Sequence, residues 1–134
     1  MNRTTIENLV TAMRAEAFAY AKYMLYAERA RHSGNNDLAE LLEKIAREEL
    51  SEHFAEEADL AELAHSDADN LKDAIQGESY EIETMYRDFA EKAAAAGDKA
   101  AAERFAEIRD DEMKHREAFK AALAKLAGNR LRTW

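Results

Sequence analysis

The sequence predicts an all-α fold, an antiparallel four-helix bundle built from two repeated helical hairpins. Composition is the first reason: the 134 residues hold no Pro and only 4 Gly, and Ala, Glu, Leu, Lys and Arg fill most positions. The second is apolar residues recurring at three- and four-residue steps through four long stretches. The third is self-similarity. A shift of 63 residues lays Tyr23 on Tyr86, Tyr26-Ala27-Glu28-Arg29-Ala30 on Phe89-Ala90-Glu91-Lys92-Ala93, and Gly34 on Gly97. Leu42, Ile45 and Glu49 then fall on Phe105, Ile108 and Glu112, and Glu52 falls on His115, so one hairpin is present twice.

The first helix is expected from about Thr4 to His32, with Thr4 as N-cap because Glu7 follows at the capping-box spacing. Ile6, Leu9, Val10, Met13, Ala17, Tyr20, Met24 and Ala27 make its apolar stripe, and Glu16 falls inside that stripe. Ser33-Gly34-Asn35-Asn36 ends it, Gly34 being the natural C-cap. A second helix from Asp37 to about Ala64 turns Leu38, Leu41, Leu42, Ile45 and Ala46 inward. Its stripe then becomes polar, at Glu49, Glu52 and His53. Ser66-Asp67-Ala68-Asp69 reads as a turn with capping residues, and Asn70 to Gln76 as a short helical lead-in before Gly77. The third helix follows, with Glu78 and Glu81 on one face, Ile82, Met85, Tyr86 and Phe89 inward, and a stop at Gly97-Asp98. The fourth runs from about Lys99 to Ala127 and buries Ala102, Phe105, Ile108, Phe119 and Leu123, with Glu112 and His115 in line with them. Gly128-Asn129 is expected to cap it. Residues 1–127 thus form the bundle and 128–134 a C-terminal tail.

Several function classes drop out. No Cys means no disulfide, thiolate zinc, iron-sulfur or cysteine-nucleophile chemistry. With 28 Asp and Glu against 19 Lys and Arg, the net charge is −9, and no basic stripe exists to bind nucleic acid. No apolar run approaches the roughly 20 residues needed to cross a bilayer. Arg3, Glu7 and Arg14 interrupt any apolar segment at the N-terminus that would serve as a signal peptide, so a cytoplasmic location is expected.

What remains is a set of polar residues on faces that should be apolar: Glu16, Glu49, Glu52, Glu78, Glu81, Glu112 and His115. Glu112 and His115 lie three apart, so one helix turn aims both at the same point. Six carboxylates crowded into a helical core cannot all stay ionised without cations, and two divalent metals would offset most of that charge. Oxygen-rich ligation with an imidazole suits iron or manganese better than zinc or copper. His53, four residues after Glu49, is adjacent to Glu52 and within reach to substitute for it.

Inward carboxylates from four helices are the arrangement of the ferritin-like di-iron and di-manganese proteins. Over nearly the whole chain up to residue 127 the sequence resembles the rubrerythrin family. The residues that carry the resemblance are Glu16 with Tyr23, Glu49, the stretch Asn70-Leu71-Lys72-Asp73-Ala74-Ile75-Gln76-Gly77-Glu78, the run Glu81-Ile82-Glu83-Thr84-Met85-Tyr86, and Glu112 with His115. The resemblance implies a bridged site of two iron ions, manganese or a mixed pair being the alternatives, that reduces hydrogen peroxide to water. It also implies Tyr23 and Tyr86 beside the metals, and a homodimer. Two departures stand out. The family's second helix carries Glu-x-x-His, whereas Glu52 lies three after Glu49 and His53 one later: either the helix shifts locally so that His53 binds, or the site is richer in carboxylate. The four-cysteine rubredoxin-like module has no counterpart in this Cys-free sequence, so electrons are expected from an external donor protein, or the iron cycles by a different route. Two other functions compete: a ferroxidase or iron-storage protein using dioxygen, and a metal-free helical interaction module with Leu131 to Trp134 as a docking peptide.

Overall fold

The computed structural model describes residues 1–130, and every described regular element is helical. The chain divides into two compact units, residues 1–64 and 65–134, each a helical hairpin.

In the first hairpin α1 (Arg3–His32) returns through α2 (Asn36–Glu48), a π-helical turn π1 (Glu49–Phe54) and α3 (Ala55–Leu60). Asn2, not Thr4, caps α1, its side chain accepting the Thr5 amide, and Glu7 pairs with Arg3 instead of closing a capping box. Asn35 caps α2 the same way, accepting from the Leu38 amide. Between them Gly34 takes φ +79°, a left-handed conformation that costs a residue without Cβ little. The two helices meet through small side chains. Ala27, Ala30 and Ala39 form a buried cluster with Leu42 against it, and Ala46 is also fully buried. Ala39 and Ala46 are two turns apart, so the line of contact runs along them. Leu38 and Leu41, expected inward, lie off that line and are exposed.

In the second hairpin α4 (Asp67–Tyr80), π2 (Glu81–Met85) and α5 (Tyr86–Ala96) run without a break and pack against α6 (Lys99–Arg130). Ser66 caps α4, accepting the Asp69 amide. The expected interruption at Gly77 does not occur. A helical Gly costs only about 1 kcal/mol relative to Ala, too little to halt a helix whose neighbours are strong formers. Gly97, at φ +84°, does end α5. Tyr86, Phe89 and Phe105 tie α5 to α6, the two phenylalanine centroids 5.6 Å apart. The last helix continues through Arg130, past the stop expected at Gly128, since a single Gly without a turn partner does not end the ladder. Leu131 to Trp134 lie outside the described residues. No helix among the described residues is long and apolar enough to cross a membrane.

Candidate metal centre

Each hairpin gathers two carboxylates and one imidazole. In the first, Glu16 on α1 faces Glu49 and His53 on π1. In the second, Glu78 on α4 faces Glu112 and His115 on α6. Within each trio the three ligand atoms lie within 4.8 Å of one another.

The two trios match closely. His53 Nδ1 lies 2.7 Å from Glu49 Oε2 and 3.8 Å from Glu16 Oε2. His115 Nδ1 lies 2.6 Å from Glu112 Oε2 and 3.8 Å from Glu78 Oε1. The carboxylates are well covered, Glu49 at 16% and Glu112 at 15% side-chain exposure, while the histidines, at 58% and 56%, are open.

The helical geometry explains why His53 stands where the spacing rule selects Glu52. In α6 an α-helical turn brings a residue three positions on to the face of Glu112. In π1 the i→i+5 ladder puts an extra residue into the turn, so the residue four positions on takes that place. Glu52 is exposed and stands outside the group. A second slip of one residue occurs in the other hairpin. Glu16 and Tyr23 are seven apart on an uninterrupted α1, whereas Glu78 and Tyr86 are eight apart with π2 between them. The repeat therefore holds at 63 for Tyr23 and Tyr86 but at 62 for the glutamates Glu16 and Glu78.

Electrostatics follow from the crowding. Glu16 is pushed above the usual carboxylate range, first by its hydrogen bond with Glu49 and then by burial. Burial comes first for Glu78, followed by its hydrogen bond with Glu112. Glu81, half-buried on π2, is outside the second trio but is raised by burial and by the Glu112 charge. His53 is raised chiefly by its hydrogen bond to Glu49. Tyr86 is raised by burial and then by Glu81, Glu112 and Glu78, which places its phenol in the field of the second trio. Tyr23 is half-buried against Tyr26, ring centroids 6.4 Å apart. Sequence reasoning did not single out Glu57, a half-buried residue whose charge raises Glu16 and whose Oε2 is buried without a hydrogen-bond partner. Its place four residues after His53 was the available signal.

Whether these residues suit a cation can be judged from their unmet needs. Glu78 Oε2 is buried with no hydrogen-bond partner, an arrangement that costs free energy until something positive meets it. Carboxylate oxygens plus one imidazole, with no thiolate, form a donor set for iron or manganese. The residues fit such an ion.

The class is thus an all-α protein of two helical hairpins, each with a carboxylate–histidine group able to hold a metal ion. The sequence model of the rubrerythrin family matches residues 7–123, and the chain belongs to that family, whose members are di-iron oxidoreductases. It is 34% identical over 132 residues to nigerythrin of Nitratidesulfovibrio vulgaris strain Hildenborough, covering 89% of this chain and 65% of that protein. Among solved structures it is similar to nigerythrin in the fully reduced, all-ferrous state, at 33% identity, 92% coverage of this chain, 67% of the other and a TM-score of 0.48. The mixed-valence nigerythrin structure gives the same figures. Family membership rests on the sequence match, not on these superpositions.

Proposed function

We propose that the chain is a rubrerythrin-type di-iron oxidoreductase that reduces hydrogen peroxide with electrons from an external donor protein. The observation that carries this reading is the pair of matching trios, Glu16–Glu49–His53 and Glu78–Glu112–His115, each of which offers ligands for one ion. Iron bound there would supply electrons to the oxidant.

The chain's own groups have definable parts. Glu49 and Glu112, each hydrogen-bonded to its histidine, orient the imidazoles so that Nδ1 faces the trio. Glu16 and Glu78 add carboxylate charge opposite them. His53, not Glu52, completes the first trio. Glu81, its carboxyl raised by burial, holds a proton more readily than an exposed glutamate and gives it up when a cation approaches. The Tyr86 phenol, raised by burial and by the neighbouring carboxylates, keeps its proton. Resemblance to the family supports a homodimer, and the acidic, cysteine-free composition suits the cytoplasm.

Anaerobic ferrous loading followed by rapid mixing with peroxide or dioxygen tests the reading. Oxidation faster with peroxide, with about two irons per chain as di-iron bundles hold, is the expected result. Faster oxidation by dioxygen with continued uptake of iron would assign the chain to iron storage instead.

A further inference from the structure

Two arginines of α6 take no part in either trio yet reach across to the helix that carries Glu78 and Glu81. In an α-helix the Tyr86 amide would donate to the Ile82 carbonyl. Here it donates to Glu81, one residue further back, so Ile82 loses that donor. Ile82 is only 3% exposed, and a backbone carbonyl in such surroundings needs a partner. Arg109 Nε supplies it at 2.8 Å. Seven residues along α6, about two turns and hence on the same face, Arg116 Nη1 donates to Glu83 Oε1 at 2.9 Å and meets Ser79 Oγ at 3.5 Å. Arg116 is itself only 19% exposed. Glu112 and His115 lie between the two arginines in sequence.

We infer that Arg109, supported by Arg116, is a positioning residue that holds the π2 turn open by one residue and so aims Glu78 at Glu112 and His115. The inference rests on the metal-site reading above. Closing π2 into an α-helix would rotate everything before it relative to everything after it by about 100°, the angle of one α-helical residue. Glu78 and Tyr86 would then no longer face α6 together. The first hairpin supplies the internal comparison. Its first helix is α-helical throughout, Glu16 and Tyr23 are seven apart, and the repeat equivalent of Arg109 is the fully buried Ala46. Where there is no π turn in the first helix, no guanidinium is sent to it.

The test is cobalt(II) binding to the full chain, followed by the paramagnetically shifted imidazole signal of each histidine, assigned with His53→Ala. Amide exchange at Met85 and Tyr86 is measured in the same samples. Arg109→Met keeps the apolar stem and removes the donor. It should weaken cobalt binding at His115 about tenfold or more, the scale on which loss of a supporting partner is felt at metal sites, speed exchange at Met85 and Tyr86, and leave the His53 signal unchanged. Arg109→Lys, which keeps a donor, should recover part of both losses; it also carries the test if Arg109→Met does not fold. Wild-type cobalt affinity at His115 in Arg109→Met, or equal weakening at both histidines, would overturn the positioning role. Absence of cobalt binding in the unmodified chain would instead overturn the metal-site reading, and the inference with it.

Discussion

His53 Nδ1 sits 2.7 Å from Glu49 Oε2, four residues back along the chain, yet the pair reproduces the contact that His115 makes with Glu112 three residues back. An extra residue in the π turn compensates for the extra residue in the sequence. Replacing His53 should therefore matter more than replacing Glu52. His53→Ala is expected to weaken metal binding by at least the 10–100-fold that loss of an outer partner costs, while Glu52→Gln, at an exposed position, stays near wild type. Isothermal titration with cobalt or ferrous ion under argon distinguishes them, and the reverse ranking would return Glu52 to the site.

Crowded carboxylates should make the metal-free protein lose stability as pH rises. Glu16, Glu78 and Glu81 have folded-state pKa values above their ordinary 4.5, and His53 lies above 6.5. A raised value contributes stability that is complete below the unfolded pKa and is lost as pH climbs through the folded one. The groups shifted downward, Glu43, Asp69, Asp111 and Glu117, act in the opposite sense, but only as pH falls below about 4.5. Between pH 5 and 8 the metal-free melting temperature should fall. With metal bound the trend should reverse, because ligands must shed protons to bind. Calorimetry of both forms across that range gives the sign directly.

Removing one of these charges should strengthen the metal-free fold while damaging the site. Glu78→Gln relieves a buried carboxylate oxygen that has no partner, and is expected to stabilise the metal-free chain by roughly 1 kcal/mol, the low end of the cost of such a group. The same variant should bind less metal. A destabilised metal-free variant would mean that Glu78 is held by contacts rather than tolerated for its charge.

Two glycines make opposite predictions. Gly97 is left-handed at φ +84° with open space around it, so Gly97→Ala should cost about 1–2 kcal/mol from backbone conformation alone. Gly77, helical and equally open, should accept Ala with a gain of about 0.5–1 kcal/mol. Urea unfolding of both variants checks the pair. Equal effects would place Gly77 outside a continuous helix.

The hairpins were legible in the sequence because their signals are local: apolar steps of three and four, and turns marked by Gly34, Ser66 and Gly97. The candidate site was legible because carboxylates broke the apolar stripe at Glu16, Glu49, Glu78 and Glu112; Glu81, read the same way, stands outside the second trio. What did not show was the winding of the helices. A π turn leaves no composition signature, and the 63-residue repeat that pairs Glu49 with Glu112 sets Glu52, not His53, opposite His115. The traces of that winding were His53, one residue later than the Glu-x-x-His spacing, and the slip in the repeat, 63 for the tyrosines and 62 for Glu16 against Glu78. Gly77 and Gly128 misled for the opposite reason, since glycine is read as a break whether or not the ladder continues through it. Arg109 carried no signal, because its partner is a backbone carbonyl freed only by the π turn.

Metal content decides most directly whether the two trios do what their geometry supports. Protein made with iron and manganese available, then analysed by elemental emission, should contain about two ions per chain, falling to about one or fewer in His53→Ala and in His115→Ala. A chain that holds no metal, or whose content is indifferent to both histidines, would contradict the account.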